Sequence, residues 1–416
     1  MTFDEAKKLT AKYGQEHILR YYDEITDDDK LRLLDRISKI DFEKLDILLK
    51  TDDKPNVITD GLEPYEAFVK EELSEGENEK NLKSGAEIMK SGAFAAITMA
   101  GGQGTRLGYD GPKGAVKIGL KNDMSLFQIQ CERLKVSSEK YGKYIPWYIM
   151  TSDENDEQTR NFFEENDYFG YPKEYITFFV QNMLPMTDFN GKIILDGKNH
   201  VKEGADGHGG VFSAMRNGGV VEDLIRRGIK WTFIGGVDNV LLRLADEYFV
   251  GFAENSGCKV AAKSLIKRDA YEKVGVFCKL NGRPHVVEYT EVSEEMANAR
   301  NGEGEFLYGE AHILCNIFST DAIRELTAVD SSFKYHVAKK KTNYVDASGE
   351  VRVPDKANGI KFESFIFDAF DEFDKIAILR VERELEFAPV KNAEGEDSPE
   401  TARKMFEYCE SLGDVF

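Results

Sequence analysis

Cysteine is scarce in this chain: Cys131, Cys258, Cys278, Cys315 and Cys409 are scattered and odd in number. No C-x-x-C occurs, so neither a zinc site nor a disulfide framework is expected, and each cysteine reads as a small buried hydrophobe. No run of about 18 apolar residues exists, so no membrane span is expected. Met1 is followed by acidic and polar residues rather than an apolar signal core, which points to a cytoplasmic protein. Positive charge is in deficit: 55 Lys and Arg stand against 75 Asp and Glu, a net charge of −20. That balance argues against a general nucleic-acid or anionic-membrane surface. A chain this acidic must place its cations locally if it is to bind phosphates. No Ser-His-Asp or Cys-His arrangement has a credible spacing, and there is no internal repeat.

What the chain does have is glycine in one place. The run Ala93 to Ala100 reads as a buried first strand. It opens into Gly101-Gly102-Gln103-Gly104-Thr105-Arg106-Leu107-Gly108-Tyr109-Asp110-Gly111-Pro112-Lys113-Gly114. Glycines let a backbone approach a ligand closely, and successive N–H groups can line an anion-binding concavity. Arg106 and Lys113 add positive charge beside it. Lys113 is followed by Gly114 where a Walker A loop needs Ser or Thr. Gly102, Gly104 and Gly108 miss the dinucleotide spacing by one residue, which disfavours a dehydrogenase.

The remainder can hold a large core, with 41% hydrophobic residues over 416 positions. Residues 1–90 read as a polar helical region, with Thr2 to Glu5 as a capping box. Leu31, Leu33, Leu34, Ile37 and Ile40 then recur at helical spacing. Glu72 to Lys83 is charged and reads as a loop or frayed helix. From residue 91 strands and helices alternate. Strands are expected at Trp147–Met150, Tyr175–Val180 and Trp231–Ile234, and helices at Gln128–Tyr141 and Asp156–Asn166. The fold class is therefore α/β, a Rossmann-like, mainly parallel sheet flanked by helices. Asn281-Gly282 marks a hairpin turn between Lys279 and Val292. A helix is expected over Phe362–Phe373 and a closing helix over residues 400–416. The expected domains are 1–90, 91–385 and 386–416.

The stretch Ala100 to Gly108 with Pro112-Lys113-Gly114 resembles the signature of UTP-dependent sugar-1-phosphate uridylyltransferases. It is most similar to the eukaryote-type UDP-N-acetylhexosamine pyrophosphorylases and their UDP-glucose relatives. Eukaryotic members continue further, so a reduced C-terminal region is expected. The resemblance spans roughly residues 90 to 405. It implies a reaction of UTP with a sugar 1-phosphate to give a UDP-sugar and pyrophosphate, with Mg²⁺ as cofactor. It also implies roles, residue by residue. Arg106, Lys113 and Lys391 would act on the phosphates. Gly101, Gly102, Gln181, Gly207, Asp238, Lys361 and Lys391 would contact the nucleotide, with Gln181 reading the uracil edge. His208, Gly275, Glu288, Tyr289 and His312 would contact the sugar. Asp238, beyond a strand end and followed by Asn239, would hold Mg²⁺; an aspartate there could also cap a helix, and the metal role is the one favoured. His208 and His312 depart from the N-acetylhexosamine pattern, which has Asn at both positions. N-acetylglucosamine 1-phosphate is the expected sugar, with glucose 1-phosphate as the alternative. A nucleotide-binding regulatory protein on the same fold is the expectation from a different class, and the intact set of cations argues against it.

Overall fold

The structure is a computed structural model that describes residues 1–50, 61–328 and 334–413. It divides into two units. The division differs from the expected 1–90, 91–385 and 386–416. The first unit comprises the described residues of Met1–Lys54, Asn182–Gly210 and Phe333–Phe365, and the second holds the rest.

The first unit is built from helices Phe3–Lys12, Asp27–Lys39 and Phe42–Leu48 and from short ribbons. Thr2 and Glu5 form the capping box expected of them. Leu33, Leu34 and Ile37 are buried, but Leu31 is 68% exposed and belongs to the outer face. Strand Met183–Pro185 pairs antiparallel with Glu203–Ala205, and His336–Lys340 pairs with Gly359–Glu363. Leu184, Ile193, Leu195, Val201 and Phe362 from these ribbons share one core with the helices. That shared burial explains why two distant segments join the N-terminal residues.

The second unit is organised on an eleven-stranded sheet. Its principal strands are β1 (Phe94–Met99), β2 (Trp147–Thr151), β3 (Ile176–Val180), β4 (Trp231–Gly236), β5 (Val260–Ile266), β6 (Val276–Leu280), β7 (Arg283–Val287), β8 (Glu310–Ser319) and β9 (Ala377–Arg380). The main order is Phe68–Val69, β9, β5, β8, β4, β1, β2, β3. β4, β1, β2 and β3 run parallel, as do β5, β9 and Phe68–Val69, while β8 is antiparallel to both β4 and β5. β1, β2 and β4 are buried along their whole length, which is why they read as continuous apolar runs.

Its helices include α1 (Glu75–Ser91), α2 (Leu126–Tyr141), α3 (Asp156–Glu165), α4 (Glu247–Asn255) and α5 (Pro399–Ser411). Of the loop or frayed helix expected at Glu72–Lys83 the structure has a regular helix: Ser74 and Glu77 form a capping box and start the 17-residue α1. The helix expected over Phe362–Phe373 is corrected. Residues Gly359–Glu363 are strand, and Ile366–Glu372 is a 3₁₀ helix. The backbone of this segment pairs with His336–Lys340 instead of with itself. The hairpin at Asn281-Gly282 forms as expected, with both residues at positive φ. The closing helix starts at Pro399, and residues 414–416 of the expected range lie outside the described residues.

Candidate active site

Chain order sets the location. From β1 the chain steps through α2 to β2 and through α3 to β3 on one side, and β4 lies against the other side of β1. The carboxyl end of β1 is therefore a switch point, and sheets of this kind bind ligands in the crevice beyond the strands at such a point. Buried polar groups fix this end. Thr98 Oγ1 donates to Gln130 Oε1 at 2.8 Å, Gln130 Nε2 donates to the Gly236 carbonyl at 3.1 Å, and Trp147 Nε1 donates to Thr98 Oγ1 at 2.8 Å. Thr98 near the end of β1 is thus linked to the end of β4 through Gln130 of α2, and directly to Trp147 at the start of β2.

The glycine loop leaves β1 here and closes on itself. Lys113 N donates to the Gly102 carbonyl at 3.0 Å, and Gly104 N to the Gly111 carbonyl at 2.8 Å. Asn155, fully buried, donates to the carbonyls of Ala100 and Gly102 at 2.9 and 3.2 Å. Its own Oδ1 accepts Ser152 N at 2.9 Å. Asn155 is a residue the motif reading missed, although Ser152-x-x-Asn155 after a strand carries the signal of a side chain bonding its own turn. Gly101 lies against the amide end of Gln181, which a side chain at this position would displace. A methyl group there would stand 2.7 Å from Gln181 Oε1. Gln181 itself is buried at the end of β3, its N–H donating to the Thr151 carbonyl at 2.8 Å.

β4 runs beside β1 in register, so the loop after it lies at the same carboxyl end. Asp238 stands in that loop and accepts Lys113 Nζ at 3.2 Å. No helix begins at Asp238; the next, α4, is capped by Asp246. The helix-cap reading of Asp238 therefore falls. Burial pushes its carboxyl up, but the charges of Lys113 and Lys391 outweigh this and hold it below the usual carboxylate range. Lys391 comes from the strap Glu386–Lys391. The strap is stitched to the Asp238 loop by Val390 N to the Asp238 carbonyl at 2.9 Å and Val240 N to the Ala388 carbonyl at 3.2 Å. Lys391 Nζ lies 3.4 Å from Asp397 Oδ2. Arg106 is exposed at the tip of the glycine loop and makes no ion pair among the described residues.

A second group assembles on β6, β7 and β8. His312 N donates to the Gly275 carbonyl at 2.9 Å, and a methyl group on Gly275 would meet Val286 Cγ1 at 2.7 Å and Glu288 Oε1 at 3.5 Å. Three residues of β8, Ile313 to Cys315, span the sheet opposite the single residue Lys263, and Leu314 takes φ of 55° there. This bulge brings the His312 and Asn316 side chains together. Asn316 Nδ2 donates to the Ile234 carbonyl at 3.4 Å, so its Oδ1 is an acceptor. His312 Nε2, 2.9 Å from that oxygen, must carry the proton, and Nδ1 keeps its lone pair. The ring is boxed edge-on by Phe277, Phe367 and Phe370 at centroid distances of 5.3 to 5.7 Å. Burial pushes its pKa down to about 4, with the Asn316 bond working against the shift. His312 is therefore neutral at ordinary pH. Tyr289 follows β7 and is 46% exposed.

The other expected residues belong to the first unit. Lys361 lies on Gly359–Glu363, its stem across the face of Gly204 and its Nζ 2.7 Å from Glu363 Oε1. Gly207 has φ of 84° and backs onto the main chain of Ser364. The His208 ring packs on Phe365 at 5.2 Å.

Among the described residues no cluster of three or more His, Cys, Asp or Glu side chains could hold a metal by itself, and no helix is long and apolar enough to cross a membrane. All five cysteines are free, and four are buried.

Comparison with known proteins gives these features a family. The family model described as UTP–glucose-1-phosphate uridylyltransferase matches residues 44–396. The UDP-N-acetylglucosamine pyrophosphorylase of Saccharomyces cerevisiae is 38% identical over 430 residues, covering 97% of this chain and 89% of the relative. The human UDP-N-acetylhexosamine pyrophosphorylase-like protein 1 is 37% identical, covering 96% of this chain and 83% of the relative. Among solved structures, the uridine diphosphate N-acetylglucosamine pyrophosphorylase of Trypanosoma brucei superposes with a TM-score of 0.82 at 28% identity, over 99% of this chain and 87% of that one. A closed glycine loop at the switch point, a lysine-paired aspartate after the neighbouring strand and these matches lead to one conclusion: the chain belongs to the UTP–glucose-1-phosphate uridylyltransferase family and is a nucleotidyltransferase.

Proposed function

We propose that this protein joins UTP to N-acetylglucosamine 1-phosphate, yielding the UDP-sugar and pyrophosphate. A phosphate oxygen of the sugar phosphate attacks the α-phosphorus of UTP. The bond from that phosphorus to the bridging oxygen breaks, and pyrophosphate departs with the electron pair. The attacking phosphate is already ionised, so no general base is needed. The main barrier is bringing two anions together, and the protein lowers it by positioning and by fixed positive charge. The observation that carries this reading is the convergence of Lys113, Asp238 and Lys391 beyond β1 and β4.

In this reading Lys113 and Lys391 neutralise phosphate oxygens, with Arg106 at the loop tip as a further cation; Lys361 of the first unit is assigned to UTP by the family resemblance alone. Gly101 and Gly102 offer backbone to the nucleotide and Gln181 pairs with the uracil edge; Gly207 of the first unit is assigned to the nucleotide by the family resemblance alone. Gly275, Glu288, Tyr289 and His312 of the second unit are assigned to the sugar, and His208 of the first unit is assigned to it by the family resemblance alone. The neutral, Nδ1-acceptor form of His312 suits a substrate group that donates a hydrogen bond, such as an amide N–H or a hydroxyl. The names of the relatives support N-acetylglucosamine. Glucose is the second reading, favoured by the two histidines in place of Asn.

Mg²⁺ fits the donor set. A single carboxylate, Asp238, suits an ion that takes most of its oxygens from substrate phosphates. When bound, such an ion would offset phosphate charge. The free, mostly buried cysteines support a reducing, cytoplasmic location. The test of the metal assignment is Asp238→Asn. Its turnover should collapse, or recover only at raised Mg²⁺. Wild-type turnover by this variant at unchanged Mg²⁺, or full activity of the native enzyme in EDTA, would remove Asp238 from the role.

A further inference from the structure

One ion cluster lies outside the site just described. Lys263, on β5, has no exposed surface. Its Nζ donates to Asp246 Oδ2 at 2.7 Å and to Glu386 Oε1 at 2.8 Å. A buried lysine with two carboxylates is costly to assemble, and such groups persist where they fix a geometry. The two arms lead to different places. Asp246 caps α4, accepting Tyr248 N and Phe249 N at 3.0 and 3.2 Å. Glu386 begins the strap that carries Lys391. The Glu386 carbonyl accepts Asn239 Nδ2 at 2.7 Å, and Asn239 Oδ1 accepts Ala388 N at 2.8 Å and Leu241 N at 3.1 Å. Asn239 is buried next to Asp238. One end of the strap is thus gripped by Lys263 through a side chain and by Asn239 through the backbone. Its other end bears Lys391, with Val390 N bonded to the Asp238 carbonyl. Arg243 stands farther from Glu386, at 3.5 Å.

We infer that Lys263 is a positioning residue of the transferase, holding through Glu386 the strap that sets Lys391 against Asp238. It touches no substrate and acts through another residue. The inference rests on the proposed roles of Lys391 and Asp238, and its test separates the two. Removing either carboxylate leaves Lys263 with one matched partner, so neither change strands a buried charge. Glu386→Leu fills the volume but cannot hold Nζ. Asp246→Ser gives up the other bond yet keeps a helix cap.

With kcat for pyrophosphate release read below the onset of thermal melting, Glu386→Leu is expected to lose about tenfold. Asp246→Ser should stay within about twofold, and Glu386→Gln, whose amide oxygen can still accept Nζ, within about threefold of the native rate. Lys391→Ala alone should lose about a hundredfold, leaving a measurable rate. In that background Glu386→Leu should cost less than about twofold more, because two residues acting as one unit are not additive. An undiminished loss in the Lys391→Ala background, or an equal loss from Asp246→Ser, would make the cluster merely structural and overturn the inference. So would full turnover by Glu386→Leu. Full turnover by Lys391→Ala would instead sink the reading of Lys391 itself, and the positioning role with it.

Discussion

Lys113 carries the heaviest demand of any single residue. Its loop is closed by main-chain bonds, and its charge faces Asp238. One charged contact to a transition state is worth on the order of 3 kcal/mol, or about a hundredfold in rate. Lys113→Ala should therefore lose about a hundredfold in kcat while melting close to the native protein. Near-native turnover would refute its role. His312 makes a different prediction. Its folded pKa, about 4, lies below the ordinary histidine value of 6.5. Between those values the unfolded chain binds a proton that the folded chain refuses. Stability is then complete above pH 6.5 and falls as pH drops toward 4, by an amount on the order of 3 kcal/mol. His312→Asn removes that contribution, so urea unfolding should show a shallower loss of stability between neutral and acid pH than in the native protein. Parallel curves for the two would contradict the assignment. At this scale much was legible: Arg106, Lys113 and Asp238 stood out as charges beside glycines and a strand end. Asn316 and Lys263 did not, because the Ile234 carbonyl and the Glu386 carboxylate that they bond lie far away in the chain, and the turn signal at Ser152 and Asn155 does not disclose that Asn155 holds the carbonyls of Ala100 and Gly102.

Among elements, α1 and α4 cross where glycine faces glycine. A methyl group on Gly85 would stand 1.7 Å from the Glu247 carbonyl oxygen, and one on Gly251 would stand 1.7 Å from the Asn81 oxygen. Helix propensity favours Ala over Gly by about 1 kcal/mol. Overpacking against a backbone that cannot yield typically costs about 1–3 kcal/mol, and contacts this short belong at the upper end. The clash wins, so Gly85→Ala should lower the urea midpoint; an unchanged or raised midpoint would show that the helices can part freely. The buried strands were legible because their whole length is apolar. α1 was not, since its exposed face dominates the sequence and the glycine contact with α4 leaves no periodic trace. The phenylalanines from Phe362 to Phe373 mimic a helical spacing. In the fold Phe362 belongs to a paired strand, while Phe367 and Phe370 box His312 from a 3₁₀ turn.

For the whole molecule, the division into two units escaped the sequence because it depends on pairing between distant segments. Residues 182–210 and 333–365 look like connections until their strands meet partners and their apolar side chains join the N-terminal core. The acidic balance, in contrast, was informative from the start. A net charge of −20 leaves the few cations placed beside glycine and the strand ends as the means of handling phosphate. The central claim is that they serve uridylyl transfer to a 2-acetamido sugar phosphate. The most direct measurement supplies UTP and Mg²⁺ with N-acetylglucosamine 1-phosphate and glucose 1-phosphate in competition, and compares kcat/KM for pyrophosphate release. The account predicts release with both and preference for the N-acetylated sugar. A glucose preference above about tenfold, equivalent to about 1.4 kcal/mol, would contradict the sugar assignment and point to His208 and His312, and no release with either would contradict the transferase itself.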